Sequence, residues 1–253
     1  MDLGLAGRVY VLTGASRGLG YATAECLVAD GANVVVSARS ADRVTAAVER
    51  LGAPARAIGV AADLGDPLAA ERVVAAARER FGRVDGALVS VGGPPRGTAA
   101  MLEDAQWRES FETVFLGSVR LARYAAEAIG GDGAIGFVLS TSVRSPIPGL
   151  GLSNALRPGL AGVAKDMADE YGARGIRVFS LLPGRILTDR NRELFEATGD
   201  PERARREAEA AIPMGRLGEP AEFGRVAAFL LSPAASYLTG LSVPVDGGAV
   251  RAL

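Results

Sequence analysis

A glycine-rich turn follows the first hydrophobic run of the chain and has the composition of an anion-binding loop. Glycines at 14, 18 and 20 lack Cβ atoms, so the backbone can turn tightly and approach a ligand closely. Because the next residues have helical spacing, the amides of that helix's first turn would point at a phosphate. The motif predicts a seat for a dinucleotide pyrophosphate, although the glycines could serve a tight turn alone. The segment reads Thr13-Gly14-Ala15-Ser16-Arg17-Gly18-Leu19-Gly20.

The elements that must position this loop alternate along the whole chain. Short β-branched runs such as 33–36 do not alternate polar and apolar residues, which is typical of strands buried on both faces of a parallel sheet. Repeated β-α-β units favour a doubly wound arrangement. The sequence predicts one α/β domain over residues 1–253, a Rossmann-type parallel sheet of about seven strands with helices on both faces. The expected strands are 9–12, 33–37, 57–61, 86–90, 134–140, 176–181 and 241–245, and the expected helices are 18–30, 41–51, 67–81, 105–129, 153–171 and 219–231.

Composition narrows the possible chemistry. The 253 residues include no histidine and one cysteine, and the formal net charge is −1. A Ser-His-Asp triad and a His-ligated metal are excluded, and no metal is expected. The charge gives no reason to expect nucleic acid or an anionic membrane as a partner, and no apolar stretch approaches the roughly 20 residues of a spanning helix. The lone cysteine and the absence of a signal-peptide pattern favour a cytoplasmic location.

The end of the second strand bears on which dinucleotide binds. An acidic side chain there would hydrogen-bond the free ribose hydroxyls of NAD. The chain has Ala38 instead, followed by Arg39, whose guanidinium can contact a 2′-phosphate, and Arg17 in the glycine loop offers a second contact. Either arginine could also be a solvated surface charge. NADP is therefore the expected cofactor, with NAD as the alternative.

The spacing of the glycine loop resembles the cofactor motif of the short-chain dehydrogenase/reductase family, and the similarity extends almost end to end. Asp63-Leu64 matches the family position that contacts the adenine. Pro183-Gly184, followed by Thr188, resembles the segment that holds the nicotinamide carboxamide. The resemblance implies a cofactor site made of Gly14, Ser16, Arg17, Gly18, Leu19, Gly20, Arg39, Asp63, Leu64, Ser90, Gly92, Arg157, Pro183, Gly184, Ile186 and Thr188.

The catalytic residues of that family are an asparagine, a serine and a Tyr-x-x-x-Lys pair, and this chain retains only the serine. The resemblance implies that Ser142 polarises a carbonyl, although such a hydroxyl could also cap local backbone. It places Ser153 at the tyrosine, Arg157 at the lysine and Phe115 at the asparagine. An arginine keeps its proton but can brace an oxyanion or ribose hydroxyls. Ser142, Ser153 and Arg157 are the expected catalytic residues, unless Ser153 only caps its helix or Arg157 only binds a ribose or a neighbouring carbonyl.

These observations predict an NADP-preferring short-chain oxidoreductase that interconverts a carbonyl and an alcohol by hydride transfer, with an atypical proton donor. The missing catalytic side chains keep a second hypothesis open, a catalytically silent protein that senses NADP(H) or serves as a partner subunit. A third is non-redox chemistry on the same scaffold, as in the related halohydrin dehalogenases. The expected partners are a small carbonyl or alcohol substrate and, by resemblance, further copies of the chain in a homotetramer or dimer.

Overall fold

Seven strands form one parallel sheet in the computed structural model, which describes residues 2–252. The strands are β1 Val9–Thr13, β2 Asn33–Ala38, β3 Ala57–Ala61, β4 Val84–Ser90, β5 Ile129–Val138, β6 Ile176–Pro183 and β7 Ser242–Val245. Their order is β3-β2-β1-β4-β5-β6-β7, so the direction of winding reverses between β1 and β4. The predicted doubly wound α/β fold is confirmed. Such a reversal opens a ligand crevice at the carboxyl ends of the strands.

Helices cover both faces of this sheet. They are α1 Gly18–Ala29, α2 Ala41–Leu51, α3 Ala69–Phe81, α4 Asp104–Ser110, α5 Gly117–Ala128, α6 Gly151–Tyr171, α7 Asp189–Glu196, α8 Pro201–Ala210 and α9 Pro220–Leu231. One hydrophobic core lies between the sheet and α3, α5 and α6, and the second lies between the sheet and α1, α2 and α9. Because both faces are covered, β1 is buried at every position and β2 along its central run, which explains their lack of alternation.

The structure differs from the sequence prediction in three places. Strand β5 begins at Ile129, five residues before the predicted start, which was missed because the three residues after Ile129 are exposed glycines and an aspartate that carry no strand pattern. It ends at Val138, because the side chain of Ser140 accepts a hydrogen bond from the Ser142 amide and starts a 3-10 turn. The long helix predicted over 105–129 is interrupted by a π-helical segment, Phe111–Leu116. No element was predicted where α7 lies.

Two findings bear on the function classes considered above. No helix within residues 2–252 has both the length and the apolar composition needed to cross a membrane. The same residues contain no cluster of three His, Cys, Asp or Glu side chains that could hold a metal ion.

Candidate active site

The glycine loop packs the start of α1 against the end of β4. Gly14 and Gly18 have φ values of 57° and 60°, a region in which a Cβ is strained. A Cβ on Gly14 would lie 2.6 Å from the carbonyl oxygen of Ser90, and a Cβ on Gly20 would lie 2.8 Å from that of Gly14. The Thr13 hydroxyl donates to the Ser90 carbonyl at 2.9 Å and accepts from the Ser90 amide at 3.0 Å. Side chains larger than hydrogen therefore do not fit at 14 or 20.

The N-terminus of α1 is open to an anion. Its N-cap residue, Arg17, makes no side-chain capping bond, and the first turn contains no acidic residue. The first amides of a helix have no partner within the helix, and the helix dipole adds positive potential there. Ser16 lies in the loop before them, and its carbonyl accepts a hydrogen bond from Arg50 at 3.4 Å. Leu19, in the first turn, packs against the core. This geometry fits a pyrophosphate group.

Residues at the ends of β2 and β3 flank the loop on the side where the adenosine is expected. Arg39 is exposed, and among residues 2–252 its side chain has no hydrogen-bond or ion-pair partner. Arg17 instead forms an ion pair with Glu193 of α7 at 3.1 Å. The Asp63 carboxylate accepts from the Gly65 amide at 3.0 Å, and Leu64 is buried. Arg39 is thus free to meet a 2′-phosphate, whereas Arg17 would have to leave Glu193.

The segment after β6 closes the opposite side of the crevice. Gly184 follows Pro183 and lies against Asp246, where a Cβ would meet the Asp246 Cβ at 2.6 Å. Ile186 is buried, and the Thr188 hydroxyl caps α7 by accepting from the amide of the third residue beyond it at 3.4 Å. The Thr188 methyl lies 3.6 Å from the position of a Cβ on Gly18, so this segment meets the glycine loop. Gly92, in the loop after β4, is exposed with no atom within 4 Å of a Cβ position.

Two serine hydroxyls meet beside the end of β5. Ser142, in the 3-10 turn after β5, is 2% exposed, and its Oγ lies 3.4 Å from the Oγ of Ser153 on α6, with either hydroxyl able to donate. Helix α6 begins at Gly151 and its N-cap is Leu150. The alternative that Ser153 serves as the N-cap is therefore wrong. The two hydroxyls form a pair inside the site.

Arg157 lies one helical turn after Ser153 and is 6% exposed. Its Nη1 donates to the Val138 carbonyl at 2.7 Å and its Nη2 to the Val91 carbonyl at 3.3 Å, so it joins β5 to the loop after β4. Its buried Nε has no hydrogen-bond partner among the described residues. Burial, and then the charge of Arg190, lowers the pKa of Arg157 to about 10, which leaves it charged at neutral pH. Arg157 thus binds two neighbouring carbonyls, and Nε is the one guanidinium nitrogen without a hydrogen-bond partner among the described residues.

Sequence reasoning missed Arg190 and Asn154. The Arg190 guanidinium, from α7, lies against the backbone of Gly93 in the loop after β4. The Asn154 side chain accepts from the Ile147 amide and donates to the Ile147 carbonyl, both at 2.9 Å, and so fixes the loop before α6. Arg190 acts on a segment that is distant in the sequence, whereas Asn154 acts on a loop only seven residues before it, and neither contact has a recognisable sequence pattern.

Comparisons with known proteins agree with the fold described above. Residues 14–250 match the family model described as Enoyl-(Acyl carrier protein) reductase. The chain is 36% identical to the 3-oxoacyl-[acyl-carrier-protein] reductase FabG of Salmonella typhimurium, over 96% of this chain and 97% of that protein. Its fold is similar to that of L-sorbose reductase from Gluconobacter frateurii, solved in complex with NADPH and L-sorbose, with a TM-score of 0.96, 30% identity and 100% of both chains covered.

A further solved structure is also similar to this chain. The chain is 31% identical to a short-chain oxidoreductase from Pseudomonas aeruginosa PAO1 described as containing an atypical catalytic center, with a TM-score of 0.91 and 100% of both chains covered. The glycine loop, the sheet order and the similarity along nearly the whole length lead to one assignment. The chain belongs to the short-chain dehydrogenase/reductase family.

Proposed function

We propose that this protein is an NADP-preferring oxidoreductase that interconverts a carbonyl and an alcohol, with a serine pair and an arginine in place of the usual tyrosine and lysine. The observation that carries the proposal is a dinucleotide loop that fits a pyrophosphate, together with the partly buried Ser142–Ser153 hydroxyl pair at 3.4 Å. When bound, the nicotinamide supplies or accepts the hydride. The reductases to which the chain is similar favour this function over a catalytically silent binding protein.

The hydroxyl pair orients the substrate in this proposal. One hydroxyl donates to the other, and the second then donates to the carbonyl oxygen of the substrate, which aligns its carbon. A serine hydroxyl is a much weaker acid than a tyrosine, so the pair acts as a relay and a water molecule or a substrate group provides the proton. A positioned general acid contributes on the order of 10²–10⁴-fold. We therefore expect slower turnover than a site with tyrosine would give.

Arg157 supplies a fixed positive charge. Its two Nη groups are held by the Val138 and Val91 carbonyls, so its guanidinium cannot swing away during the reaction. A cation held in a buried site stabilises negative charge that develops on a nearby oxygen. Its Nε is buried without a hydrogen-bond partner among the described residues, so the guanidinium acts on the substrate oxygen through its charge. Arg157 thus stabilises charge and does not donate the proton itself.

The choice of NADP is supported from two directions. Arg39 follows Ala38 at the end of β2, and its side chain has no hydrogen-bond or ion-pair partner within residues 2–252. Its guanidinium is therefore available to bind a 2′-phosphate. L-sorbose reductase, at 30% identity, was solved with NADPH bound.

We also propose that the chain assembles as a homo-oligomer, which light scattering would test by giving a mass above that of one chain.

Two measurements test the function. NADPH and NADH affinities are measured by calorimetry, and cofactor oxidation or reduction is followed across ketones, aldehydes and alcohols. The expected result is tighter binding of NADPH and substrate-dependent turnover of at least one compound. Binding without any turnover would support the silent alternative, and no binding of either cofactor would overturn both.

A double substitution tests the proton donor. Ser153→Tyr with Arg157→Lys would rebuild the pair that is usual in the family, and we expect turnover of a generic ketone to rise by roughly 10- to 1000-fold. Arg192→Ala on exposed α7 is the control and should leave turnover unchanged. No gain in the double variant, with NADPH affinity retained, would mean that the pocket is shaped for another mode of proton delivery.

A further inference from the structure

Arg190 brings an unneutralised positive charge to the site. It lies on α7, with its guanidinium against the backbone of Gly93, in the loop that also accepts a hydrogen bond from Arg157 through Val91. Within residues 2–252 no carboxylate lies in ion-pair distance of Arg190 or of Arg157. Two guanidinium groups therefore contact the same loop, and neither has a carboxylate partner among the described residues.

Neighbouring charges on α7 are arranged differently. Arg192 forms an ion pair with Asp189 at 3.2 Å, and Glu193 forms one with Arg17 at 3.1 Å. Within residues 2–252 Arg190 forms no ion pair, although Asp189 and Glu193 both lie within three residues of it. Its charge adds to the effect of burial in lowering the pKa of Arg157, so the two cations act on each other. Such like-charge proximity is unfavourable unless an anion sits between the two groups.

The serine pair shows which part of a ligand would sit nearby. Ser153 is one turn before Arg157 on the same face of α6, and its hydroxyl meets that of Ser142. A ligand whose carbonyl oxygen accepts from this pair has Arg157 beside it, one helical turn along α6. The pyrophosphate seat is elsewhere, at the start of α1 beside Thr188.

We propose that Arg190, together with the buried Arg157, selects substrates that carry an anionic group, a carboxylate or a phosphate, close to the reacting carbonyl. A guanidinium offers paired N–H donors that match either anion, and the buried Arg157, which contacts the same loop, adds positive charge beside it. The inference rests on the proposed function for its carbonyl, but the anion site itself can be measured without turnover.

The experiment compares matched acids and neutral analogues by calorimetry. The probes are 4-oxopentanoate against its methyl ester, and dihydroxyacetone phosphate against dihydroxyacetone, each titrated into the protein with and without NADPH. At least one anionic probe is expected to bind roughly tenfold or more tightly than its neutral partner. Preference for the acid or for the phosphate then identifies the anion. Equal binding within both pairs, or no binding of any probe, would overturn the inference.

Variants on the same helix assign the preference to Arg190. Arg190→Ala should abolish the preference for the anion, Arg190→Lys should keep part of it, and Arg192→Ala, which removes an exposed charge two residues away, should keep all of it. If Arg190→Ala instead weakens NADPH and leaves the preference intact, Arg190 serves the cofactor and the inference is wrong. An anion preference without any cofactor oxidation would retain the site while rejecting the proposed function.

Discussion

Replacing Gly14 by alanine places a methyl group in the narrowest contact of the glycine loop. With φ at 57°, a Cβ costs roughly 1–2 kcal/mol from backbone strain. The new atom would also lie 2.6 Å from the Ser90 carbonyl oxygen, which the Thr13 hydroxyl holds in place. Relieving this overlap requires β1 and β4 to move apart, and overpacking of this kind costs roughly 1–3 kcal/mol. The free energy of unfolding should therefore fall by about 2–5 kcal/mol.

Gly52→Ala is the matched control, because Gly52 has a φ of 62° at the end of α2 but no atom within 4 Å of a Cβ position. It carries the backbone cost alone, roughly 1–2 kcal/mol. Urea unfolding followed by circular dichroism gives both values, and calorimetry gives NADPH affinity. Gly14→Ala should also weaken NADPH at least about tenfold, whereas Gly52→Ala should not. Equal destabilisation by the two variants would refute the close approach of loop and strand.

Three further predictions concern charges around the crevice. Arg39→Ala should weaken NADPH roughly tenfold or more and leave NADH unchanged in calorimetry, and equal weakening of both would contradict the 2′-phosphate contact. The Glu193→Gln variant should bind NADPH more tightly, because Arg17 is released from its ion pair. Its free energy of unfolding should change by less than about 1 kcal/mol, because the pair is exposed. Because Arg157 has a pKa of about 10, kcat/KM should fall as pH rises through about 10, and Arg190→Ala should move this midpoint upward by removing a repelling charge. An unmoved midpoint would show that another group titrates.

Local sequence patterns were sufficient for the architecture. Short β-branched runs, separated by stretches of helical spacing, predicted every strand of the sheet, and most strand ends agree to within a few residues. These runs are visible in the sequence because burial on both faces requires continuous apolar strands. The prediction was least accurate for β5, whose exposed entry at 130–132 has no apolar side chain to mark it. The π-helical segment before α5 was also missed, since one extra residue per turn leaves no distinct trace in a single sequence.

For the candidate site too, the sequence predicted some features and only the structure revealed others. Glycines at 14, 18 and 20 were assigned from the sequence because the absence of a Cβ is a property of a single residue. The contact of Ser142 with Ser153, the carbonyls of Val138 and Val91 that hold Arg157, and the approach of Arg190 to Gly93 all join segments far apart in the chain. Residue type alone therefore determined that a dinucleotide loop is present. Only the tertiary structure decided which charges meet beside it, because hydrogen bonds and ion pairs depend on distances that the parallel sheet sets between strand ends.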